Sequence, residues 1–418
     1  MKFIGSIKML GDKSIAHRVL IISSWFKGFH SISNFPENED ILTTLHGLSL
    51  YGLKYSITNK VIKIDSTNFS FNEEKINCND SGTSARLFCG YLAGANVKAQ
   101  IFGSKSLSIR PMDRVVEPLN SFGANIKSSK GLLPLHITPS SNLDPFKYNL
   151  KIPSAQVKSA LILYAMFIKG ASTISGLIHT RNHLENLLSY FGYPITCDKN
   201  QINIKGSNRI SKDLIVDLPG DISSASFIIA GAILLKDSSI KIKNICFNKY
   251  RIGFIQKLID MGGNITFSNK KSVCGEDIVD IHVKYSPHLM GAHINKKEVP
   301  FIIDEIPILC VVASYAKSQT VIEGIDELKI KESNRAEAIL LNIDNMGGIA
   351  EVVGENLIIT PKNKLHNTTI NSFNDHRIFM SFYIANLVAE GIFNKNSINS
   401  CYKKSFIDFF DILEEIIE

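Results

Sequence analysis

The sequence lacks long apolar runs and paired cysteines, and each absence excludes a class of protein. No apolar stretch approaches the ~20 residues that a membrane helix needs. The opening residues, MKFIGSIKML, contain neither the apolar core nor the cleavage site of a signal peptide. The seven cysteines are scattered and form no C-x-x-C pair, which argues against a disulfide framework and a structural zinc site. We therefore expect a cytoplasmic protein with free thiols.

Several motifs of nucleotide and metal chemistry are missing as well. The chain contains no G-x-x-x-x-G-K-[ST] loop, no G-x-G-x-x-G, no H-E-x-x-H and no nucleophile elbow. The net charge of +7 is not gathered into basic patches with interleaved aromatic residues, as it would be in a nucleic-acid binder. The sequence predicts acid–base chemistry on polyanionic small molecules, without a metal or redox cofactor.

What is present fits a globular chain of two domains. The sequence has 418 residues, of which 44% are hydrophobic and 20% charged. Only nine of the 46 basic residues are arginines. The planar fork of arginine binds phosphate and carboxylate in a way that lysine cannot copy. Each arginine in this lysine-rich chain is therefore a candidate for a specific anion contact.

One kind of segment recurs six times, at intervals of roughly 65 to 80 residues. A start rich in Gly, Ser, Asp or Asn leads into a helix that is apolar nearly all round, which is typical of a buried helix. Such starts cap helices, and a free helix N-terminus attracts anions. The segments are GDKSIAHRVLIISS, NDSGTSARLFCGYLAG, IPSAQVKSALILYAM, GDISSASFIIAGAILL, DEIPILCVVASYA and NDHRIFMSFYIANLVA.

The first segment places three anion-binding groups in one helical turn. Ser14 and Arg18 are four residues apart and share a helix face, with Lys13 at the start of the helix. Arg110 precedes a proline, so it is predicted at a junction between a loop and a helix. These groups could grip a phosphate, although a solvated helix start would have the same pattern.

The carboxylates leave two interpretations open. Asp304 stands before a buried helix, where a carboxylate either caps the helix or acts as a base on a substrate hydroxyl. In IKESNRAEAI, Lys331 and Arg335 are predicted on one helix face with Glu332 between them. An amphipathic surface helix would have the same pattern.

Taken in order along nearly the whole chain, the motifs resemble those of the EPSP synthase (5-enolpyruvylshikimate-3-phosphate synthase) family. They are GDKSIAHR, NDSGTSAR, SIRPMDRVVEPL, SAQVKSA, GDISSAS, DEIPIL, LKIKESNR, NDHRIFM and CYKKSF. SAQVK and RNHLE resemble the branch that includes glyphosate-tolerant bacterial enzymes. Gly82 leaves room for that inhibitor, so the family's glyphosate response stays open for this chain.

The resemblance implies a two-domain inverse α/β barrel-like fold. Each domain would contain three βαβαββ units with buried parallel helices, which would account for the six recurring segments. One domain, 12–219, would be inserted into a second formed by 1–11 and 220–418. The active site would lie in the interdomain cleft.

The resemblance also implies a reaction, in which the enolpyruvyl group of phosphoenolpyruvate passes to the 5-hydroxyl of shikimate 3-phosphate and phosphate is released. Asp304 matches the family's proton acceptor, Glu332 its carboxylate at the methylene carbon, and Lys13 a cation shared by both substrates. Residues matching those that hold shikimate 3-phosphate are Lys13, Ser14, Arg18, Ser154, Ala155 (through its backbone), Gln156, Arg181, Asp304 and Lys331. Residues matching those that hold phosphoenolpyruvate are Lys13, Gly82, Arg110, Gln156, Arg335, Arg377 and Lys404. The family implies no cofactor and no metal, and a monomer that binds small molecules and neither nucleic acid nor membrane.

Three residues depart from the family pattern. Leu10 replaces a common proline, Asp80 a common asparagine and Asn334 a common aspartate. Asp80 adds negative charge near a phosphate site, so we expect it to turn away or to pair with a lysine. The departures bear on efficiency more than on identity.

Two alternatives remain at this point. The sister enzyme that transfers enolpyruvate to UDP-N-acetylglucosamine shares fold and donor, but KESNR, SAQVK and RPM favour the shikimate enzyme. A non-catalytic phosphate-binding relic is the second alternative. The retention of Lys13, Asp304 and Glu332 argues against it.

Overall fold

A computed structural model describes residues 1–362, 364–390 and 400–418. Its helices are α1 (Lys13–Trp25), α2 (Glu39–Ser49), α3 (Gly82–Gly94), α4 (Lys105–Ser108), α5 (Asp113–Ser121), α6 (Ala155–Ala165), α7 (His183–Tyr190), α8 (Ile222–Leu234), α9 (Gly253–Asp260), α10 (Ile306–Ser314), α11 (Arg335–Asn345), α12 (His376–Glu390) and α13 (Phe409–Ile416). Its strands are β1 (Ile4–Lys8), β2 (Phe29–Ser33), β3 (Lys54–Thr58), β4 (Val61–Asp65), β5 (Glu74–Asn77), β6 (Ala99–Phe102), β7 (Asn125–Ser129), β8 (Leu132–Thr138), β9 (Lys147–Leu150), β10 (Ala171–Gly176), β11 (Ile195–Cys197), β12 (Gln201–Lys205), β13 (Ile215–Asp217), β14 (Ser239–Cys246), β15 (Asn264–Val273), β16 (Glu276–Lys284), β17 (His293–Ile294), β18 (Thr320–Ile322), β19 (Ile349–Val353) and β20 (Asn356–Thr360).

The chain divides into two compact units. Unit 1 contains Met1–Asp12, Pro219–Ser272 and Asp277–Glu418. Unit 2 contains Lys13–Leu218 together with the short turn Val273–Glu276. In unit 1 the two segments that lead to and from unit 2 are hydrogen-bonded, because the Asp12 N–H donates to the Pro219 carbonyl at 2.8 Å.

Unit 2 contains three four-stranded sheets of the same topology. Their strand orders are β13-β2-β4-β3, β5-β6-β8-β7 and β9-β10-β12-β11. In each sheet the first pair of strands is parallel and the following pairs are antiparallel. Parallel pairing requires a crossover, which a buried helix supplies, while a tight hairpin joins the last two strands. Each sheet therefore follows the predicted βαβαββ pattern, with β13 supplying the first strand of one sheet from the far end of the unit.

Unit 1 repeats the pattern. Two of its sheets have the orders β1-β14-β16-β15 and β17-β18-β20-β19, again with a parallel first pair. The described part of the chain thus contains two such sheets in unit 1, where three repeats were predicted. The first strand, β1, pairs with β14, although the whole of Lys13–Leu218 separates the two strands in the sequence.

The six recurring segments become α1, α3, α6, α8, α10 and α12. Most side chains on every face of these helices are buried, as predicted from their apolar composition. Their starts are capped as the sequence suggests in three cases, where Ser81, Ser154 and Asp221 accept a backbone N–H of the first turn. The mixed α/β class of the prediction is confirmed. Among the described residues, no helix is both long enough and apolar enough to span a bilayer.

Candidate active site

In unit 2 the start of α1 holds three predicted site residues, all within its first two turns. The Lys13 ammonium lies 3.0 Å from Asp40 Oδ2, and both side chains are 16% exposed. The Arg18 guanidinium is buried and donates to the Ser14 carbonyl at 2.8 Å and to Ser159 Oγ at 2.9 Å. The predicted i, i+4 relation of Ser14 and Arg18 is confirmed, and Asp40 and Ser159 are partners that the sequence did not reveal.

Gly82 opens helix α3 beside two guanidinium groups. A Cβ atom built on Gly82 would lie 2.8 Å from Arg86 Nη1 and 3.4 Å from Arg110 Nη1. Arg110 is buried between α4 and α5, and Arg86 donates to the Pro111 carbonyl at 3.0 Å. The position that a side chain would take is thus bordered by two guanidinium groups and by Leu107 at a helix N-terminus, and the two cations suit a phosphate or carboxylate.

Helix α6 brings two more predicted residues to the same part of unit 2. Ser154 caps the helix by accepting the Val157 N–H. Gln156 Oε1 accepts from Arg86 Nη1 at 3.0 Å, and Gln156 Nε2 donates to Thr83 Oγ1 at 3.0 Å. Gln156 is therefore tied to the Gly82 helix.

The two remaining predicted residues of unit 2 lie at the start of α6 and in the loop before α7. Ala155 begins helix α6, directly after its cap. Arg181, partly exposed, lies in the loop between β10 and α7.

In unit 1 the predicted base, Asp304, stands two residues before α10 and does not cap it. The cap position belongs to Glu305, whose side chain makes no capping bond. The Asp304 carbonyl accepts from Arg377 Nη1 at 3.0 Å, and Asp304 Oδ1 lies 3.6 Å from Arg335 Nη1. The carboxylate, 16% exposed, is held among cations and remains reachable by a substrate.

Arg335 is the centre of an ion network at the start of α11. Its Nε donates to Asp375 Oδ2 at 2.8 Å, and its Nη2 donates to Glu332 Oε2 at 2.5 Å. Burial opposes the charge, but the carboxylates of Asp375, Glu332 and Asp304 outweigh burial and raise the pKa of Arg335 above its usual value. Arg335 therefore stays a cation and orients Glu332.

The predicted helical pairing of Lys331 with Arg335 is wrong. Helix α11 begins at Arg335, so Lys331 and Glu332 lie in the loop before it. Asn334 takes the cap position and accepts the Glu337 N–H, which fixes the helix start. Burial lowers the pKa of the Lys331 ammonium below its usual range, although Asp304 opposes that shift.

Arg377 and Lys404 complete the predicted cations of unit 1. Arg377 lies in the first turn of α12, where its N–H donates to Asp375 Oδ1 at 2.9 Å. Its Nη1 lies 3.6 Å from Glu305 Oε1. Lys404 donates to the Asn374 carbonyl at 3.3 Å, just before the same helix. Asp304, Glu332, Arg335 and Arg377 are thus linked directly or through Asp375.

A further buried cation of unit 1, Arg251, was not predicted. It lies 3.2 Å from Asp12 Oδ2 and 3.5 Å from Asp221 Oδ1, and it donates to Ser223 Oγ at 2.6 Å. Ser223 Oγ in turn donates to Glu305. Burial opposes the charge of Arg251, but Asp12, Asp221 and Glu305 outweigh it and raise the pKa. The network fixes Glu305, the neighbour of the predicted base.

The three departures from the family pattern occupy defined places. Asp80 accepts a hydrogen bond from Ser104 Oγ, the residue that caps α4, which gives its carboxylate a local partner. Asn334 performs a cap that aspartate would also provide. The Leu10 carbonyl accepts the Asp221 N–H at 2.9 Å, and nothing in the structure explains its side chain.

Chemically, each unit offers a different set of groups. Unit 2 presents cations and helix N-termini, with Asp40 paired to Lys13, so it is equipped to bind anions. Unit 1 combines cations with two partly exposed carboxylates, Asp304 and Glu332, which are suited to proton transfer.

Comparison with known proteins gives one consistent family. The family model of EPSP synthase (3-phosphoshikimate 1-carboxyvinyltransferase) matches residues 2–413. A curated 3-phosphoshikimate 1-carboxyvinyltransferase from Clostridium tetani is 41% identical over 96% of this chain and 93% of its own length. One from Persephonella marina is 36% identical over 99% of this chain and 97% of its own.

Solved structures agree with the sequence comparison. A structure of EPSP synthase from Acinetobacter baumannii aligns with a TM-score of 0.86 at 32% identity, covering 99% of this chain and 96% of that one. A second structure of the enzyme from the same organism aligns with a TM-score of 0.85 at 31% identity. The chain therefore belongs to the EPSP synthase family.

Proposed function

We propose that this protein is a 3-phosphoshikimate 1-carboxyvinyltransferase of the shikimate pathway. It joins the enolpyruvyl group of phosphoenolpyruvate to the 5-hydroxyl of shikimate 3-phosphate and releases phosphate. The observation that carries the proposal is the family match over residues 2–413. In this proposal its two domains are 12–219 and 1–11 with 220–418, close to the two compact units, which differ in placing Asp12 and Pro219 in unit 1 and Val273–Glu276 in unit 2.

Shikimate 3-phosphate is held by groups suited to a phosphate and a ring carboxylate. In this proposal the ligand contacts Lys13, Ser14, Arg18, Ser154, the Ala155 backbone, Gln156, Arg181, Asp304 and Lys331. The support is that Arg18 is fixed by the Ser14 carbonyl and by Ser159, so its guanidinium is oriented before the ligand binds. Preorganised donors lose little conformational entropy on binding.

Phosphoenolpyruvate is held by a second set of cations. In this proposal it contacts Lys13, Gly82, Arg110, Gln156, Arg335, Arg377 and Lys404. The support is the cation-lined space at Gly82, where Arg86 and Arg110 approach the absent side chain. Arg86 joins the predicted set because it connects Gly82 with Gln156.

The chemistry has two stages. In the addition, the substrate 5-hydroxyl oxygen attacks C2 of phosphoenolpyruvate while C3 accepts a proton, giving a tetrahedral intermediate. In the elimination, C3 loses a proton and the C2–O bond to phosphate breaks. Asp304 takes the hydroxyl proton, and Glu332 works at C3. Lys13, held by Asp40, stabilises negative charge as it develops on the substrates.

We also propose that the enzyme works as a cytoplasmic monomer and needs no cofactor or metal. All seven cysteines are free thiols, as is usual in a reducing compartment. Cell fractionation locates the protein, and sedimentation reports a particle of either 46.4 kDa or a multiple of it. A dimeric mass would overturn the monomer proposal without touching the activity.

The decisive experiment measures phosphate release from shikimate 3-phosphate and phosphoenolpyruvate in the presence of EDTA. Release should require both substrates, survive EDTA and collapse in Asp304→Ala. The matched control is Asp326→Ala, since Asp326 is an exposed carboxylate of the same unit that forms a surface ion pair with Lys329. Activity with UDP-N-acetylglucosamine in place of shikimate 3-phosphate would contradict the proposal. If neither acceptor supports phosphate release, the phosphate-binding relic remains as the explanation.

A further inference from the structure

Lys158 is a buried cation in unit 2 that the reaction described above does not use. It lies one turn into α6 and is 1% exposed. Its ammonium lies 2.7 Å from Glu185 Oε1 and donates to the carbonyls of Ile178 at 2.9 Å and Thr180 at 3.0 Å. The two carbonyls accept its hydrogen bonds, while the Glu185 carboxylate pairs with it by charge.

The two carbonyls belong to the loop that carries Arg181. The loop joins β10 to α7, and Thr180 is the residue directly before Arg181. Within the loop, the Thr180 N–H donates to the Ile178 carbonyl at 2.7 Å, and both residues are buried. The backbone next to Arg181 is therefore held from inside by Lys158, while Glu185 on α7 supplies the compensating charge.

The first two turns of α6 hold the neighbouring site elements as well. Gln156 contacts Arg86 of α3, and Ser159 accepts from Arg18 of α1. Lys158 lies between these two residues and reaches the remaining element, the Arg181 loop. One short helix start thus sets the positions of three separate groups of anion-binding residues.

We infer that Lys158 is a positioning residue for substrate binding, which fixes the Arg181 loop against α6 and so places the Arg181 guanidinium on the phosphate of shikimate 3-phosphate. This inference rests on the proposed function for the identity of the ligand. Lys158 itself touches no substrate, because its ammonium is enclosed by protein partners. Its effect is transmitted through the backbone of residues 178–180.

The chain offers a matched pair of variants for the test. Lys158→Met keeps the length of the side chain and removes both bonds to the loop carbonyls. Both variants break the ion pair between Lys158 and Glu185, but Glu185→Gln leaves the hydrogen bonds of Lys158 to the Ile178 and Thr180 carbonyls in place. Both variants disturb a buried charge, so a purely structural role predicts the same kinetic effect from both.

The first readout is the KM of each substrate. In Lys158→Met the KM for shikimate 3-phosphate should rise about tenfold or more, because small displacements of a binding group weaken binding strongly. The KM for phosphoenolpyruvate and kcat should stay within about twofold, and Glu185→Gln should resemble the wild type. Equal effects of the two variants on the KM for shikimate 3-phosphate, or a parallel loss in all kinetic parameters, would overturn the inference.

The second readout does not depend on turnover. Amide hydrogen exchange over residues 177–182 should be faster in Lys158→Met and unchanged in Glu185→Gln. If Lys158→Met does not fold, the double variant Lys158→Met/Glu185→Leu removes both buried charges together and carries the same expectations. A wild-type protein without activity refutes the proposed function, whereas unchanged loop exchange in Lys158→Met refutes the anchoring role.

Discussion

Replacing Asp375 with asparagine removes a charge from the centre of the unit 1 ion network while keeping the side-chain shape. Asp375 is fully buried, and Oδ2 accepts from Arg335 Nε at 2.8 Å and from Ser333 Oγ at 3.1 Å. Its Oδ1 accepts the Arg377 N–H at 2.9 Å. The side-chain amide of asparagine has one acceptor atom and one donor atom. In either orientation its NH2 group therefore faces a donor, either the Arg335 Nε–H or the Arg377 backbone N–H.

The expected cost follows from what remains around Arg335. Breaking a buried ion pair by removing one partner costs about 3–5 kcal/mol. Glu332 at 2.5 Å and Asp304 at 3.6 Å still offset part of the Arg335 charge. We therefore expect the lower end, about 3 kcal/mol. For a unit of roughly 200 residues this lowers the melting temperature by about 6–12 °C.

Calorimetry and the phosphate-release assay measure the two effects of Asp375→Asn. The melting temperature of unit 1 should fall. The kcat should fall about tenfold or more, because Arg335 no longer orients Glu332. The control is Asp260→Asn, since Asp260 is an exposed carboxylate 3.7 Å from Lys257, and this change should cost about 0–1 kcal/mol. An Asp375→Asn protein that melts and turns over like the wild type would refute this reasoning.

Three further predictions concern the binding groups. Gly82→Ala places a methyl group 2.8 Å from Arg86 Nη1. In steady-state kinetics the KM for phosphoenolpyruvate should rise about tenfold, while the KM for shikimate 3-phosphate stays nearly unchanged. Equal changes in the two KM values would contradict this. Because burial lowers the pKa of Lys331, its ammonium loses its proton below the usual lysine range, so the KM for shikimate 3-phosphate should rise with pH earlier than an ordinary lysine would dictate. Lys331→Arg should flatten that rise, and a pH profile unaltered by it would assign the rise to another group. Asp40→Asn removes the partner 3.0 Å from Lys13 and should lower kcat/KM about three- to tenfold, whereas unchanged kinetics would show that Lys13 needs no such partner.

The buried helices and their anion-binding starts could be predicted from the sequence because both are local properties. An apolar pattern on every face indicates a buried helix, and Ser81, Ser154 and Asp221 are residues that cap in most contexts. The spacing that joined Ser14 to Arg18 also joins Gly82 to Arg86. That repeat was a usable signal for Arg86, which the predicted site omitted.

The remaining features depend on contacts between distant residues or on competition at one helix end. Asp40 meets Lys13 across 27 residues, and Ser159 meets Arg18 across 141, distances at which periodicity gives no information. The loop position of Lys331 was missed because the spacing to Arg335 fits a helix equally well. The Asn334 cap starts the helix at Arg335 and so leaves Lys331 in the loop. A cap is recognised only once the helix start is known.

The pairing of β1 with β14 has a consequence for synthesis of the chain on the ribosome. The Phe3 N–H donates to Ser238 Oγ across 235 residues, so the first strand emerges long before its neighbour exists. At 5–20 residues per second the delay is roughly 10–50 s. During that time all of Lys13–Leu218 appears and has the strands it needs, including β13, while Phe3 and Ile7, buried in the final structure, remain uncovered. The nascent chain therefore carries an unpaired strand with two uncovered apolar side chains, which makes this segment a natural target for chaperones.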